Sequence, residues 1–496
     1  MANEKKYWKG LEELNESPAF VKARDKEFAK EVPIEEFLGR ESITTSNTSR
    51  RDFLKYLGFT VAAASLAACE SPVVKTIPYV IKPEEVTPGI DNWYASTFFN
   101  GEDYCSVLIK TRDGRPIKIE GNKNSPVTRG AVNARVHASV LSLYDNFRAK
   151  TPYVHGGEST WDLADKEVGA KLAAAASKGE SAKGNIAILS STIISPSTRE
   201  IIAGFIEKYP TAKHVTWDAV SFSGMRKANE QYFGKAVLPS YSFDKAKTIV
   251  SIAADFLTNW ISPIEFSKQY ADGRRLSKKK KDMSRHIQFE SIMSVSGANA
   301  DTRIPIKPSE EGAVAYNLYA AISKLAGSPV GNVTSTPYDE QISKVAAELW
   351  SNKGNSLVVA GANDVAVQSV VNMINKTLGN YGSTVNIDRE CNLRQGNDEE
   401  FAALVNDMKA GKVEVLITYN TNPAYTASAA LGFKEAYAKV PCKISLASSV
   451  DETASTADYI CPDHNYLESW NDANPYAGQY SLAQPAIAPL FCKPRH

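Results

Sequence analysis

"VEVLITYNTNPAYT", residues 413–426, decides how this chain folds. Val413, Val415, Leu416 and Ile417 make a short apolar run of strand length, and such a run describes a strand covered on both faces. Asn420, Asn422 and Pro423 then end it with turn chemistry. The unit is therefore a buried strand running into a loop that carries side-chain amides.

The same unit recurs along the chain. Strand-length apolar runs lie at 186–189, 249–253, 287–289, 357–360, 413–417 and 444–446. Helical patterns lie between or beside them at 161–176, 199–208, 313–325, 338–350, 364–378 and 399–410. Alternation of this kind predicts an α/β body of parallel sheets with flanking helices. Ligands on such sheets sit beyond the carboxyl ends of strands, at topological switch points. The loops to inspect are those holding Asn420 and Asn422, Asp255 after the run at 249–253, and Gly361 and Asn363 after the run at 357–360.

Ahead of this body, "YCSVLIKTRDGRPIKIEG" (104–121) alternates Val107, Ile109, Ile117 and Ile119 about Asp113-Gly114, which predicts a hairpin in a small β-rich domain over 93–150. Residues 1–48 form a polar leader with Tyr7, Trp8, Leu11 and Leu14 on one turn. Residues 49–69, "SRRDFLKYLGFTVAAASLAAC", follow the form of a twin-arginine export signal at Arg50 and Arg51. The apolar run from Tyr56 to Ala68 is shorter than the ~20 residues a spanning helix needs. Leu66-Ala67-Ala68-Cys69 has the form of a lipobox, which predicts a lipid anchor on Cys69. Residues 70–92 are proline-rich and read as a tether. Twin-arginine export carries folded proteins, so the expected place is the periplasmic face of the bacterial inner membrane, and the expected chemistry is redox.

Composition bounds the rest. At 496 residues, 43% apolar and 23% charged, the chain has the make-up of a soluble globular protein of two or three domains. A net charge of +1 provides no bulk attraction for nucleic acid, and the basic run Lys278 to Lys281 lacks interleaved aromatics and reads as a solvated loop. The six cysteines, at 69, 105, 391, 442, 461 and 492, contain no C-x-x-C pair, and the six histidines no H-x-x-x-H. They predict buried free thiols and no structural metal. G-x-G-x-x-G, G-x-x-x-x-G-K and G-x-S-x-G are all absent. Glu310-Glu311, Asp398 to Glu400 and Asp451-Glu452 read as helix-start or surface charges.

"VLIKTRDGRPIKIEGNKNSPVTRGAV", "SLYDNFRAKTP", "STWDLADKEV", "AADFLTNW", "NTNPAYT" and "DETASTADYICPDHNYLESW" together resemble the molybdopterin oxidoreductases of the dimethyl-sulfoxide-reductase class. The leader "YWKGLEELNESPAF" with its late twin-arginine signal is similar to one branch of it, the large iron-sulphur subunit of bacterial alternative complex III. Active members hold a [4Fe-4S] cluster through four cysteines near the start of the mature chain. Here Cys105 is a lone remnant, and Asn133 stands where the resemblance places the fourth thiolate. One thiolate cannot hold a four-iron cluster.

The resemblance implies a cofactor-free, structural subunit of a quinol-oxidising respiratory complex, without catalysis of its own. Its partners would be a multihaem cytochrome c, quinol-oxidising membrane subunits and, through Cys69, the membrane. Iron-sulphur clusters would lie in a ferredoxin-like half beyond residue 496 or in a partner, the chain being read as C-terminally incomplete. The alternatives are a periplasmic binding module and an active molybdopterin enzyme. In the latter, Ser221 or Ser223 would ligate molybdenum, with Asp255, Asn420 and Asn422 at the cofactor.

Overall fold

The computed structural model describes residues 87–491 apart from 88, 180, 181 and 332. The leader, the export signal with Arg50 and Arg51, Cys69 and most of the tether therefore lie outside the described residues. Among the described residues no helix is long and apolar enough to cross a membrane.

Three antiparallel strands, Asp91–Phe99, Tyr104–Arg112 and Arg115–Gly121, form the small β domain. Its first strand starts inside the 70–92 segment read as tether. The turn between the second and third strands is Asp113-Gly114, with φ of 49° and 76°. Two successive positive φ angles define the turn whose twist matches a hairpin, and Asp-Gly tolerates both. Val107, Ile109 and Ile119 point inward and meet Val136, Val140 and Leu143 from the segment that follows.

Two sheets make up the body, parallel throughout except for the antiparallel hairpin Tyr153–Val154 and Gly157–Glu158 at one edge of the larger. The larger has the order Gly157–Glu158, Tyr153–Val154, Tyr459–Ile460, Cys442–Ser445, Val415–Tyr419, Ile186–Ser190, Ala212–Thr216. The smaller runs Thr302–Pro305, Arg285–Glu290, Thr248–Ile252, Ser356–Ala360. Every residue of Ile186–Ser190, Thr248–Ile252 and Ser356–Ala360 is buried, as strands with helices on both faces must be. The smaller sheet is an insertion: the chain leaves the larger sheet after Ala212–Thr216 and returns to it at Val415–Tyr419. Local alternation reads the same on one sheet or two, so this division is not visible in the pattern.

A fourth, antiparallel sheet, Gln479–Ala483, Asn471–Tyr476, Val385–Cys391, Leu238–Tyr241, buries Tyr241, Cys391, Ala473 and Tyr476 in one aromatic core with Phe243, Phe256, Trp260 and Phe266. The helices match their sequence signals. Ser195, Asp364 and Asn397 cap helices Pro196–Lys208, Val365–Thr377 and Asp398–Lys409, each accepting a first-turn N–H. Asp398, Glu399 and Glu400 occupy the first turn of the last of these, where the helix dipole favours negative charge. Lys278 to Lys281 are exposed.

Candidate functional site

In the larger sheet, the chain steps from Ile186–Ser190 outward to Ala212–Thr216, then returns on the other side of Ile186–Ser190 through Val415–Tyr419 to Cys442–Ser445. The winding reverses between Ser190 and Tyr419, and loops diverging from such a point leave a crevice. A cavity of about 500 Å³ lies there. Its walls come from the loops after these strands (Thr192 to Ser195, Asn420 to Asn422, Leu446 to Ser449), from Thr97 to Asn100 of the β domain, and from Asp463 to Tyr466 and Asn471 to Ala473.

Asn420 leaves its strand with φ of 50°, a left-handed conformation that asparagine tolerates, and so turns the loop back across the crevice. Its Nδ2 donates to Ser191 Oγ at 3.0 Å, bridging the two loops of the switch point. Asn422 lies on the same wall but spends its side chain on the fold. Its Oδ1 accepts from Thr453 N at 3.2 Å and Thr453 Oγ1 at 2.7 Å, and its Nδ2 donates to Glu452 at 2.6 Å. Asp451, also in the wall, accepts from Thr453 N and Ala454 N; burial holds its carboxyl above the usual range. Tyr419 is pushed up by burial, with the Asp463 carboxylate adding to it.

The remaining sequence candidates do not line this cavity. Asp255 accepts from Ser296 N at 3.0 Å and Ser296 Oγ at 2.6 Å at the other parallel sheet. Ser221 Oγ donates to Asp398 Oδ2 at 2.7 Å, an oxygen that also accepts from Asn363 Nδ2 at 2.9 Å. Ser223 Oγ accepts from Asp398 N at 3.4 Å. These contacts knit the loop after Ala212–Thr216 to the start of helix Asp398–Lys409. The structure thus brings Asn420 and Asn422 together, and Ser221 with Ser223, but Asp255 with neither pair. The switch point of the smaller sheet is closed by backbone: a Cβ on Gly361 would lie 2.2 Å from Ala253 O.

Cys105 is fully buried among Phe98, Val107 and Ile109, with Sγ 3.2 Å from Ala131 O, and burial pushes its thiol up to about 12. A metal ligand must be a thiolate, so this position favours the wrong form. Asn133 caps helix Ala134–Ala138 through Val136 N and donates to Asp103 Oδ1 at 2.9 Å, beside Arg135. Among the described residues no group of three or more His, Cys, Asp or Glu is placed to hold a metal ion. These residues do not fit a four-iron cluster. The described cysteines are free, with Cys105, Cys391 and Cys442 buried.

Sequence reasoning missed the carboxylate that matters most in the cavity. Helix Pro196–Lys208 opens onto it, and the helix N-terminus is held by Asp472 from the antiparallel sheet. Asp472 accepts from Ser195 Oγ, from Ser197 Oγ at 2.6 Å and from Ser197 N at 3.4 Å. Burial raises its carboxyl, but these donors outweigh that and leave it below the usual range. Asp218 is the buried counterpart one loop away, accepting from Thr192 N at 2.8 Å, Thr192 Oγ1 at 2.6 Å and Gly396 N at 2.9 Å. Ser195-Pro196 was readable as a helix start, but nothing local marks Asp472 or Asp218. Among the described residues the wall carries Asp451, Asp463, Asp472 and His464, and neither Lys nor Arg. These residues do not fit a pyrophosphate-bearing pterin in this cavity.

The larger sheet and the small β domain meet at this switch-point cavity, and in sequence and fold the chain is similar to molybdopterin-oxidoreductase-like proteins. The solved acetylene hydratase of Pelobacter acetylenicus superposes with a TM-score of 0.60 at 12% identity, over 80% of this chain and 67% of that one, and so shares the fold. In sequence, the chain is 25% identical over 439 residues to the molybdopterin-binding-like subunit of the menaquinone reductase of Nitratidesulfovibrio vulgaris, which spans 78% of this chain. It is 23% identical over 288 residues, 54% of this chain, to the molybdopterin-containing subunit of an arsenate respiratory reductase from a Shewanella species. The matched stretches span 61% and 32% of those two relatives. No protein-family model matches the chain.

Proposed function

We propose that this chain is a cofactor-free structural subunit of a membrane-bound, quinol-oxidising respiratory complex of the alternative complex III type. The observation that carries the quinone-linked part of the reading is the match, across 78% of the chain, to a subunit of a menaquinone reductase that is itself described as molybdopterin-binding-like. The lone thiol of the small β domain, buried at Cys105, and a cavity wall with neither Lys nor Arg among the described residues support the absence of a resident redox centre. Electrons would then pass through clusters and haems of partner subunits, with this fold as their support. Arg50, Arg51 and Cys69 support export and lipid anchoring at the periplasmic face of the inner membrane.

The test is purification from native membranes under gentle solubilisation. Haem-bearing and membrane-embedded partners are expected to co-purify, and Cys69 to carry a diacylglyceryl mass. Acid extraction of the isolated chain is expected to yield no fluorescent pterin and no stoichiometric molybdenum or iron; a stoichiometric pterin signal overturns the cofactor-free part. The enzyme alternative draws on the arsenate reductase subunit, which is named as molybdopterin-containing. It requires that pterin signal.

A further inference from the structure

Resting on the cofactor-free reading and extending it to particular atoms, we infer that Asp472 is an internal anion that excludes phosphate-bearing ligands from the switch-point cavity. The N-terminus of a helix presents unpaired N–H groups to the loop after a parallel strand, and in this class of sheet that is where a ligand's phosphate is bound. Helix Pro196–Lys208 follows Ile186–Ser190, the strand at the switch point, so its first turn is that place here.

Every backbone N–H of that turn is spent. Pro196 has no N–H. Ser197 N and Ser197 Oγ donate to the Asp472 carboxylate. Thr198 N donates to Ser195 Oγ at 3.0 Å, and Ser195 Oγ in turn donates to Asp472. Arg199 N already makes the first helical bond, to Ser195 O at 3.1 Å. An incoming phosphate would find no free N–H in that turn and one fixed negative charge at contact distance. Asp472 arrives on strand Asn471–Tyr476, which is held independently by pairing with Gln479–Ala483, so the carboxylate is presented by the scaffold and not by a loose side chain. Asp218 repeats the device in the next loop, taking the N–H groups of Thr192 and Gly396. The helix end that would seat a phosphate therefore already holds a carboxylate.

The experiment uses the full chain, wild type and with Asp472→Ala or Asp472→Asn, and measures inorganic phosphate binding by equilibrium dialysis. The wild type is expected to show no saturable binding. Asp472→Ala, which vacates the seat and frees Ser197 N and two hydroxyls, is expected to bind phosphate saturably, with at least about ten-fold more bound than the wild type at the same low free phosphate, the worth of one charge-assisted hydrogen bond. Asp472→Asn keeps the shape without the charge and decides the matter if the alanine variant does not fold; it is expected to bind more weakly than alanine but above wild type. Saturable phosphate binding by the wild type, or folded variants indistinguishable from it, overturns the inference. Pterin extraction from the same wild-type preparation separates the two ideas: pterin present refutes the cofactor-free reading, whereas pterin absent with unchanged phosphate binding in the variants refutes only the role of Asp472.

Discussion

Arg148 and Glu468 stand 320 residues apart in the chain and meet as a buried, two-pronged ion pair, Nη2 to Oε2 at 2.5 Å and Nη1 to Oε1 at 3.2 Å. Both side chains are nearly inaccessible, at 4% and 0%. Each is further satisfied: Arg148 donates to Leu143 O at 2.9 Å, and Glu468 accepts from Asn465 N and Leu490 N. Burial raises the Glu468 carboxyl, but the Arg148 guanidinium and these N–H groups hold it below the usual range. The pair ties the end of the small β domain to the segment bounding the cavity.

Removing one partner leaves a buried charge unpaired. Glu468→Ala and Arg148→Ala are each expected to cost about 3–5 kcal/mol, read as a lowered urea midpoint, while the double variant costs less than the sum. Additive losses would show that the pair is not coupled.

Glu265 places a second carboxyl in the aromatic core, accepting from the Tyr476 hydroxyl and from Gln269 Nε2 at 3.1 Å, with Ser262 Oγ at 3.3 Å and Arg389 Nη1 at 3.8 Å. Burial pushes it from 4.5 up to about 7. The folded state keeps a proton that the unfolded chain has released, so stability present below pH 4.5 declines as pH rises to about 7. Glu265→Gln is expected to remove that decline, worth on the order of 3 kcal/mol, and to raise the thermal midpoint at pH 8. A midpoint lowered at pH 8 would contradict this.

His286 has the opposite sign. It is fully buried between Tyr270 OH at 3.2 Å and Gln288 Oε1 at 3.1 Å, and burial lowers it from 6.5 to about 4. The unfolded chain takes up a proton first, so stability is complete above pH 6.5 and declines as pH falls to about 4. The two windows overlap with opposite slopes, so the midpoint–pH profile is expected to be flat between pH 4.5 and 6.5, and His286→Gln should expose the Glu265 decline across that range.

The thiols offer a labelling test. Burial pushes Cys105 and Cys391 up to about 12, and the thiolate is the reactive form. Neither is expected to be alkylated by iodoacetamide at pH 8 in the folded chain, and both should react in denaturant. Rapid native labelling of Cys105 would mean that the β domain opens.

Gly361 marks where two loops touch. Alanine there would place a Cβ against Ala253 backbone, which cannot swing aside as a side chain can. Gly361→Ala is expected to destabilise by about 1–3 kcal/mol, read as a lower thermal midpoint. An unchanged midpoint would show that the smaller sheet's switch point is not tightly closed.

Much of the fold was legible because its determinants are local. The apolar run at 413–417 became strand Val415–Tyr419, the pattern at 161–176 became helix Trp161–Ala176, and Asp113-Gly114 made its turn. Strands such as Ala212–Thr216 and Asn471–Tyr476, with Lys213, His214, Asn471 and Asp472 in them, lacked an apolar run and were not read. Of the candidate site, Asn420 and Asn422 were legible as turn asparagines after a buried strand. Asp472 and Asp218 were not, because a carboxylate in a polar stretch carries no mark of the N–H groups it will meet.

Periodicity, capping and turn chemistry act within about four residues, so the sequence by itself determined the elements, their alternation, and the absence of the thiolates a cluster needs in the small β domain. Which strands share a sheet, and which charge fills which helix end, was decided only by the tertiary structure. Arg148 finds Glu468, and Asp472 finds Ser195 and Ser197, only when sheets hundreds of residues apart have packed. Burial then gives such contacts their strength by removing the water that would compete for them.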